Sequence, residues 1–419
     1  MSIYDKASLV QIPSGYKGGT LYSVVPNDAD GDFDFTRAST GTRVNKDGLI
    51  ETIAADTPRL NYPLLNGVVQ DNPTLLLEPQ RINIYTYSED LSQGTTLTNT
   101  SVDETSIVSP DGALTGNKLT QTSGAYLRKN LSVVLSGTYA WSFFAKKGDL
   151  RYLNARSLFV LNGITPANGN TIIDLDTNTI AYKGTNVTSA TIEQYPNDWI
   201  KVEIVATDNA TASGDFVDFF FTDSASSTQS TGVAGNGYIW GVQFESGSYL
   251  TSYIPTTTAV TRTVDTVKLE NFANMPTDYP FTVYSNNNVD LINTNQWAWS
   301  ILDISSAVKY LGLAFTNSGF IQIHRRNSAN DVDSITTPVT QGQDFKFAIT
   351  FISNTSYKYS INGGSTVTVT GADDVDFDFN DFLIGQQRVS SDTGNRNQCT
   401  EFMLFNEELS DAELITLTS

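Results

Sequence analysis

Histidine and cysteine are almost absent: the 419 residues hold one of each, His324 and Cys399. A single cysteine excludes an intrachain disulfide and a cysteine-based zinc site, and with them the disulfide-dense secreted scaffolds. A single histidine excludes multi-histidine metal centres by counting. Charged residues are scarce at 17%, and their balance is one-sided: 25 Lys and Arg against 45 Asp and Glu leave a formal net charge of −20. Such a surface repels phosphate backbones, so no nucleic acid is expected as a partner. No apolar run approaches the about 18 residues of a membrane span, so no membrane insertion is expected. The start, Met1-Ser2-Ile3-Tyr4-Asp5-Lys6, has neither a basic nor an apolar region. A signal peptide is therefore not expected, and a protein acting outside a cell would leave by another route, such as lysis.

Hydrophobic residues make up 39% and aromatics 11%, enough for real cores rather than disorder. The length suggests roughly two to four domains. Helical periodicity is nearly missing. A capping box, Ser410 with Glu413, marks one short helical turn. Strand patterns recur instead: Tyr139 to Ala145, Trp199 to Val205, Phe216 to Phe221, Phe320 to His324, Phe345 to Phe351 and Tyr357 to Asn362. Turn signals such as Asn162-Gly163, Asn168-Gly169 and Asn362-Gly363-Gly364 separate them. This regularity predicts an all-β protein: an irregular N-terminal module followed by two β-sandwich (jelly-roll) domains. The expected boundaries are 1–92, 93–262 and 263–419, with Tyr253 to Thr258 as an exit linker. Prolines 58, 63, 73 and 79 stiffen the first region. Arg37, Arg43, Arg59 and Arg81 are concentrated there and can fork-bond carboxylates or carbonyls to lock loops together.

Four segments resemble a widespread type of bacteriophage structural protein. They are Ile3 to Lys17, Phe33 to Glu51, Pro58 to Asp90 (with Leu75-Leu76-Leu77-Glu78-Pro79 and Tyr87-Ser88-Glu89-Asp90), and Tyr238 to Thr256. The family often has a Trp soon after the Tyr-Ser-Glu-Asp stretch, where this chain has Gln93-Gly94. The resemblance implies a virion fibre or adhesion protein with a carbohydrate-binding-module-like jelly roll in residues 93–262. The ending Phe402 to Leu414, with Ile384-Gly385, resembles a concanavalin A-like, laminin-G-type sandwich and implies that fold for residues 263–419.

Two acidic clusters are candidate calcium sites. Asp28, Asp30 and Asp32 alternate as ligands do in calcium loops, without the downstream glutamate of an EF-hand. A solvated acidic turn fits the same pattern. Asp373, Asp374 and Asp376 form the second cluster, which reads equally as the acidic face of an edge strand. No cofactor is required by the pattern. For glycan contact, Trp297 and Trp299 are two apart and so share a strand face. They suit sugar stacking or core packing. Asn395 and Arg396, in the polar loop 390–397, complete that set. Trp141, Trp199 and Trp240 sit within strand patterns and read as core. His324-Arg325-Arg326 is a small basic spot suited to a turn or an interface. No carboxylate pair stands out for glycosidic chemistry, so no enzyme is expected.

The expected function is a non-enzymatic bacteriophage tail or head fibre subunit that binds host surface polysaccharide. Residues 1–92 would anchor it to other virion proteins, and deleting them would leave folded sandwiches. A head- or neck-decorating protein that binds only virion partners is the alternative, and a polysaccharide-degrading spike a third reading. A homotrimer is expected, with Val68-Val69 and Leu75-Leu76-Leu77 at subunit contacts.

Overall fold

The computed structural model describes residues 2–131, 137–158, 166–208, 215–288, 295–302, 309–326, 330–340, 342–371, 379–387 and 397–419. The protein is all-β, and its paired strands are antiparallel. Residues 96–246 form one ten-stranded jelly-roll unit. Its halves are Thr179–Lys183, Asn170–Asp174, Tyr152–Leu158 and Phe216–Thr222 on one side, and Gly235–Ser246, Gly137–Lys147, Ile200–Asp208 and Val187–Gln194 on the other. The long strand Gly116–Asn130 joins them. Its first half pairs Asn117 with Ile239, and its second half pairs Leu127 with Phe219. Alternation drives the packing: Phe219 and Phe221 point inward with Leu153, Ala155, Phe143 and Val202.

The second sandwich stacks an eight-stranded sheet on a nine-stranded one. In Asp344–Ser353, Phe345, Phe347, Ile349 and Phe351 all face the shared core, as a period of two requires.

The expected N-terminal module does not stand apart from this sandwich. Leu9–Gln11 and Thr74–Leu77 both pair with Asn397–Phe405, in registers Leu9↔Leu404 and Leu75↔Cys399. Phe33–Thr36 pairs with Thr266–Glu270. Seven core side chains come from before residue 80: Leu9, Leu21, Phe33, Phe35, Leu60, Leu75 and Leu77. Strands of two to four residues bury too little alone. Pairing with long C-terminal strands supplies their hydrogen bonds, and each buried Leu or Phe adds about 1.5–3 kcal/mol. Leu75, Leu76 and Leu77 are thus at most 4% exposed, which removes them from any subunit contact.

The jelly roll is therefore an insertion. The chain enters it through Arg81–Asn83 and leaves through Val260–Arg262, and these two strands pair with each other. The first part of the expected linker, Tyr253, Ile254 and Thr256, is buried. Tyr253 Oη lies 2.7 Å from Ser88 Oγ and donates to Glu89 at 3.1 Å, while Ser88 N donates to Thr256 O at 2.9 Å.

A buried charge cluster holds the junction. Arg37 donates to Asp265 at 3.1 Å, and Arg59 donates to Glu78 at 2.7 Å and also to Asp265. Arg262 lies 3.5 Å from Glu78. Ser252, arriving from the jelly roll, donates to Glu78 through both its N and Oγ at 2.6 Å. Arg43 and Arg81 sit further out, on Glu51 and against the Tyr249 ring. These arginines lock loops together, as their concentration in the sequence suggests. A second contact packs Ile50 against Phe144, Tyr195, Trp199, Trp240 and Tyr253 of the jelly roll.

The capping box forms as expected, Glu413 N donating to Ser410 Oγ at 3.4 Å and Ser410 N to Glu413 at 2.8 Å. It starts the helix Asp411–Thr418, whose Leu414 and Leu417 cover Tyr284, Met403 and Phe405 on the outer face of the eight-stranded sheet.

Candidate functional site

Among the described residues, the sequence-based site residues are not brought together. Trp297 and Trp299 do not share a face. A register shift between them pairs Trp297 with Ala314 but Trp299 with Leu313. This bulge turns Trp299 into the inter-sheet core, 1% exposed, with its ring 6.5 Å from that of Phe402. Trp297 lies on the other face among Leu302, Tyr310, Ala314 and Leu383, 7% exposed, its ring 4.5 Å from His324. Neither indole offers a sugar platform. His324 belongs to this aromatic cluster rather than to a turn. Burial, then the neighbouring Arg326, holds its imidazole down at about 4. Trp141, Trp199 and Trp240 are core, at most 1% exposed.

Asp28, Asp30 and Asp32 serve separate donors. Asp32 accepts from Ser23 N at 2.7 Å, Asp30 from Ala273 N at 3.1 Å, and Asp28 from Asp30 N at 3.3 Å. They tie a loop to itself and to the 273 turn. Among the described residues no three His, Cys, Asp or Glu side chains converge on a metal-sized position. Asn395, Arg396, Asp373, Asp374 and Asp376 lie outside the described residues.

A cleft of about 580 Å³ opens instead at one end of the jelly roll, within the usual size of small-ligand sites. Three turns build it. Pro196-Asn197-Asp198 connects Val187–Gln194 to Ile200–Asp208, with Asn197 and Asp198 at φ of 61° and 60°. These are left-handed values that Asn and Asp tolerate better than most residues. Tyr195 N donates to Trp199 O at 2.8 Å and closes that loop. The second turn, Leu175 to Asn178, follows Asn170–Asp174 and also ends left-handed, at Asn178.

The third turn comes from the other sandwich. The hairpin Leu64–Leu65/Val68–Val69 carries Asn66-Gly67 at its tip, both with positive φ. That is the turn geometry a two-residue hairpin favours. The tip lies against the jelly roll so closely that a Cβ on Gly67 would stand 3.4 Å from Gln194 Cβ. The cleft thus combines segments from both sandwiches.

Its lining is mostly polar, over the buried rings of Tyr195 and Trp199. Tyr195 packs edge-on to Phe144 at 5.0 Å, and Trp199 anchors its indole N–H to Val108 O at 3.0 Å. On the rim, Lys146 donates to Asn197 O at 2.7 Å and lies 3.6 Å from Asp198, and Lys147 pairs with Asp176. Asn66, Asn178 and Gln194 add amides. Amides and paired charges together line the opening, an arrangement suited to hydroxyl-rich ligands.

The sequence reading missed this cleft because none of its motifs is unusual alone. The Asn-Gly between Leu65 and Val68 is a strong hairpin signal and was the available clue. The contact between that hairpin and residues 194–198 has no local signature.

A second hollow of about 320 Å³ is lined by Glu51, Glu89 and Asp111 with Tyr253 and Trp240. Burial, opposed by the Tyr253 hydrogen bond and reinforced by Asp111, raises the Glu89 carboxyl above its usual range.

No family model matches the chain. No curated protein matches it either. Among solved structures it is similar in part to the CBM40 of a Ruminococcus gnavus IT-sialidase bound to α2,3-sialyllactose, at 18% identity and a TM-score of 0.31, over 35% of this chain and 86% of that one. It is similar to domain 4 of AbnA, a GH43 extracellular arabinanase from Geobacillus stearothermophilus, in complex with arabinotriose: 14% identity, TM-score 0.32, 42% of this chain and 84% of that one. A SAP-like pentraxin from Limulus polyphemus matches at 12% identity and a TM-score of 0.28, over 35% and 72% of the two chains.

Proposed function

We propose that the protein is a non-enzymatic adhesion subunit that binds a surface glycan in the cleft between the Asn66-Gly67 hairpin and the 195–199 loop. The observation that carries this reading is the cleft itself: about 580 Å³, lined by amides and paired charges. Rigid left-handed turns hold the amides, so little ordering is required on binding. The four segments that resemble phage structural proteins support display on a virion, as a tail or head fibre attaching to host polysaccharide. Single sites of this kind are weak, and a trimer would raise avidity.

The test is a glycan array probed with the full chain and with N178G/N197G. Glycine keeps the left-handed backbone and removes only the amides. Wild-type binding that falls by at least about tenfold in the variant supports the reading, each lost hydrogen bond being worth about 1 kcal/mol. Wild-type binding left unchanged in the variant moves the site elsewhere. Absence of any glycan binding leaves the virion-decorating role as the better reading. Incubation with host capsular polysaccharide should leave its chain length unchanged; shortening would make the protein an enzyme.

A further inference from the structure

The cleft's charges are balanced from within, and this bears on which glycans it accepts. Lys146 and Lys147 are the cations lining it among the described residues. Lys147 is paired with Asp176, which also lies 3.5 Å from Arg151, and Arg151 is in turn paired with Asp174. Lys146 lies 3.6 Å from Asp198 and donates to Asn197 O at 2.7 Å. Two ammonium groups against two carboxylates leave no net charge, and no arginine lines the cleft among the described residues.

Carboxylate and sulfate groups are recognised by forked guanidinium groups or by ammonium groups with spare charge. Here an anionic sugar that reaches either lysine sets a second negative group beside Asp198, or beside Asp176, which stays paired with Arg151. It would also approach a molecule of formal charge −20. A neutral sugar meets no such obstacle. Each hydroxyl both donates and accepts, so it can donate to Asp176 or Asp198 and accept from a lysine or an amide without parting either ion pair.

We propose that the cleft selects uncharged glycans and discriminates against sialylated, uronate-bearing or sulfated ones. This rests on the cleft being the glycan site. Asp176 and Asp198 are then specificity-determining residues: they exclude acidic ligands by neutralising the lysines.

The experiment compares matched neutral and acidic glycans on one array, for wild type and for D176N/D198N, each at low and high salt. Both substitutions are isosteric, and circular dichroism checks that the variant is folded. Wild type should prefer the neutral members, with affinity changing less than about twofold between the salts because no net ion pair forms. D176N/D198N should gain at least about tenfold on acidic glycans, and salt should abolish the gain. Wild-type preference for acidic glycans with strong salt dependence would overturn the selectivity and leave glycan binding standing. A variant that gains nothing on acidic glycans would equally overturn the role of the two aspartates. Wild type binding no glycan would instead remove the reading beneath the proposal.

Discussion

Glu245, at the end of Gly235–Ser246, is fully buried and accepts from Thr251 Oγ1 at 2.6 Å, Thr251 N at 3.0 Å and Gln243 Nε2 at 3.0 Å. Burial outweighs these donors and pushes its carboxyl from 4.5 up to about 7. The folded state thus holds a proton that the unfolded chain releases near pH 4.5. The stability tied to this proton is full below pH 4.5 and is lost as pH rises through about 7. Denaturant titrations at about pH 5 and about pH 8 should show wild type losing about 2.5 kcal/mol relative to E245Q. Equal losses in both proteins would mean that Glu245 does not titrate in this window. Arg59→Met should cost about 3–5 kcal/mol by chemical denaturation, because Glu78 and Asp265 stay buried with less compensation. A cost under about 1 kcal/mol would show the cluster to be replaceable by apolar packing. The locking role of these arginines was legible, since arginine clustered in an acidic, proline-rich stretch needs partners. Which carboxylates they meet was not: Asp265 lies 206 positions from Arg59. The tryptophan pair was misread because a single bulged residue inverts the alternation on which the same-face inference rests.

At the level of strands, the long ones announce themselves. Asp344–Ser353 and Ile200–Asp208 follow alternation that the order of their residues makes visible. The short N-terminal strands hide because their stability lies in partners more than 300 residues away, as in Thr74–Leu77 beside Asn397–Phe405. A local reading sees prolines and an irregular module; the fold uses the same residues as sheet interior. Deleting residues 1–92 should therefore leave the C-terminal sandwich unfolded or aggregated. It would lose Leu9, Phe33, Phe35, Leu75 and Leu77 from its core and bare one edge of Asn397–Phe405, whose other edge stays paired with Phe281–Asn288. Soluble expression with a native-like melting transition would refute this. Cys399 offers a finer probe. It is buried opposite Leu75, and burial pushes its thiol up to about 12. A thiol reagent should leave the native protein unlabelled and react once the Thr74–Leu77 pairing opens. Rapid native labelling would show that this pairing opens readily on its own.

At the scale of the molecule, each sandwich has its own core, yet the chain binds them twice. The charge cluster joins Arg59 and Glu78 of one unit to Ser252 of the jelly roll, and Ile50 inserts among Phe144, Trp199 and Trp240. Contacts of this kind within one chain make separate unfolding costly, because parting the units leaves Arg59 and Glu78 buried without Ser252 and exposes several aromatic rings. Calorimetry at neutral pH should give one transition whose calorimetric and van't Hoff enthalpies agree. Arg59→Met, by removing the Ser252 contact at the junction and destabilising the sandwich that holds Glu78 and Asp265, should resolve it into two, since the jelly-roll core of Trp141, Phe143 and Phe219 contains no residue of the other sandwich. Two transitions in wild type would show that the junction couples little. The glycan reading gives this coupling a consequence. The cleft needs the Asn66-Gly67 hairpin from one unit and the 195–199 loop from the other, so a variant with two transitions should lose glycan affinity at its first melting step, while the jelly roll remains folded. Affinity that persists until the jelly roll itself melts would mean that the hairpin takes no part in the site.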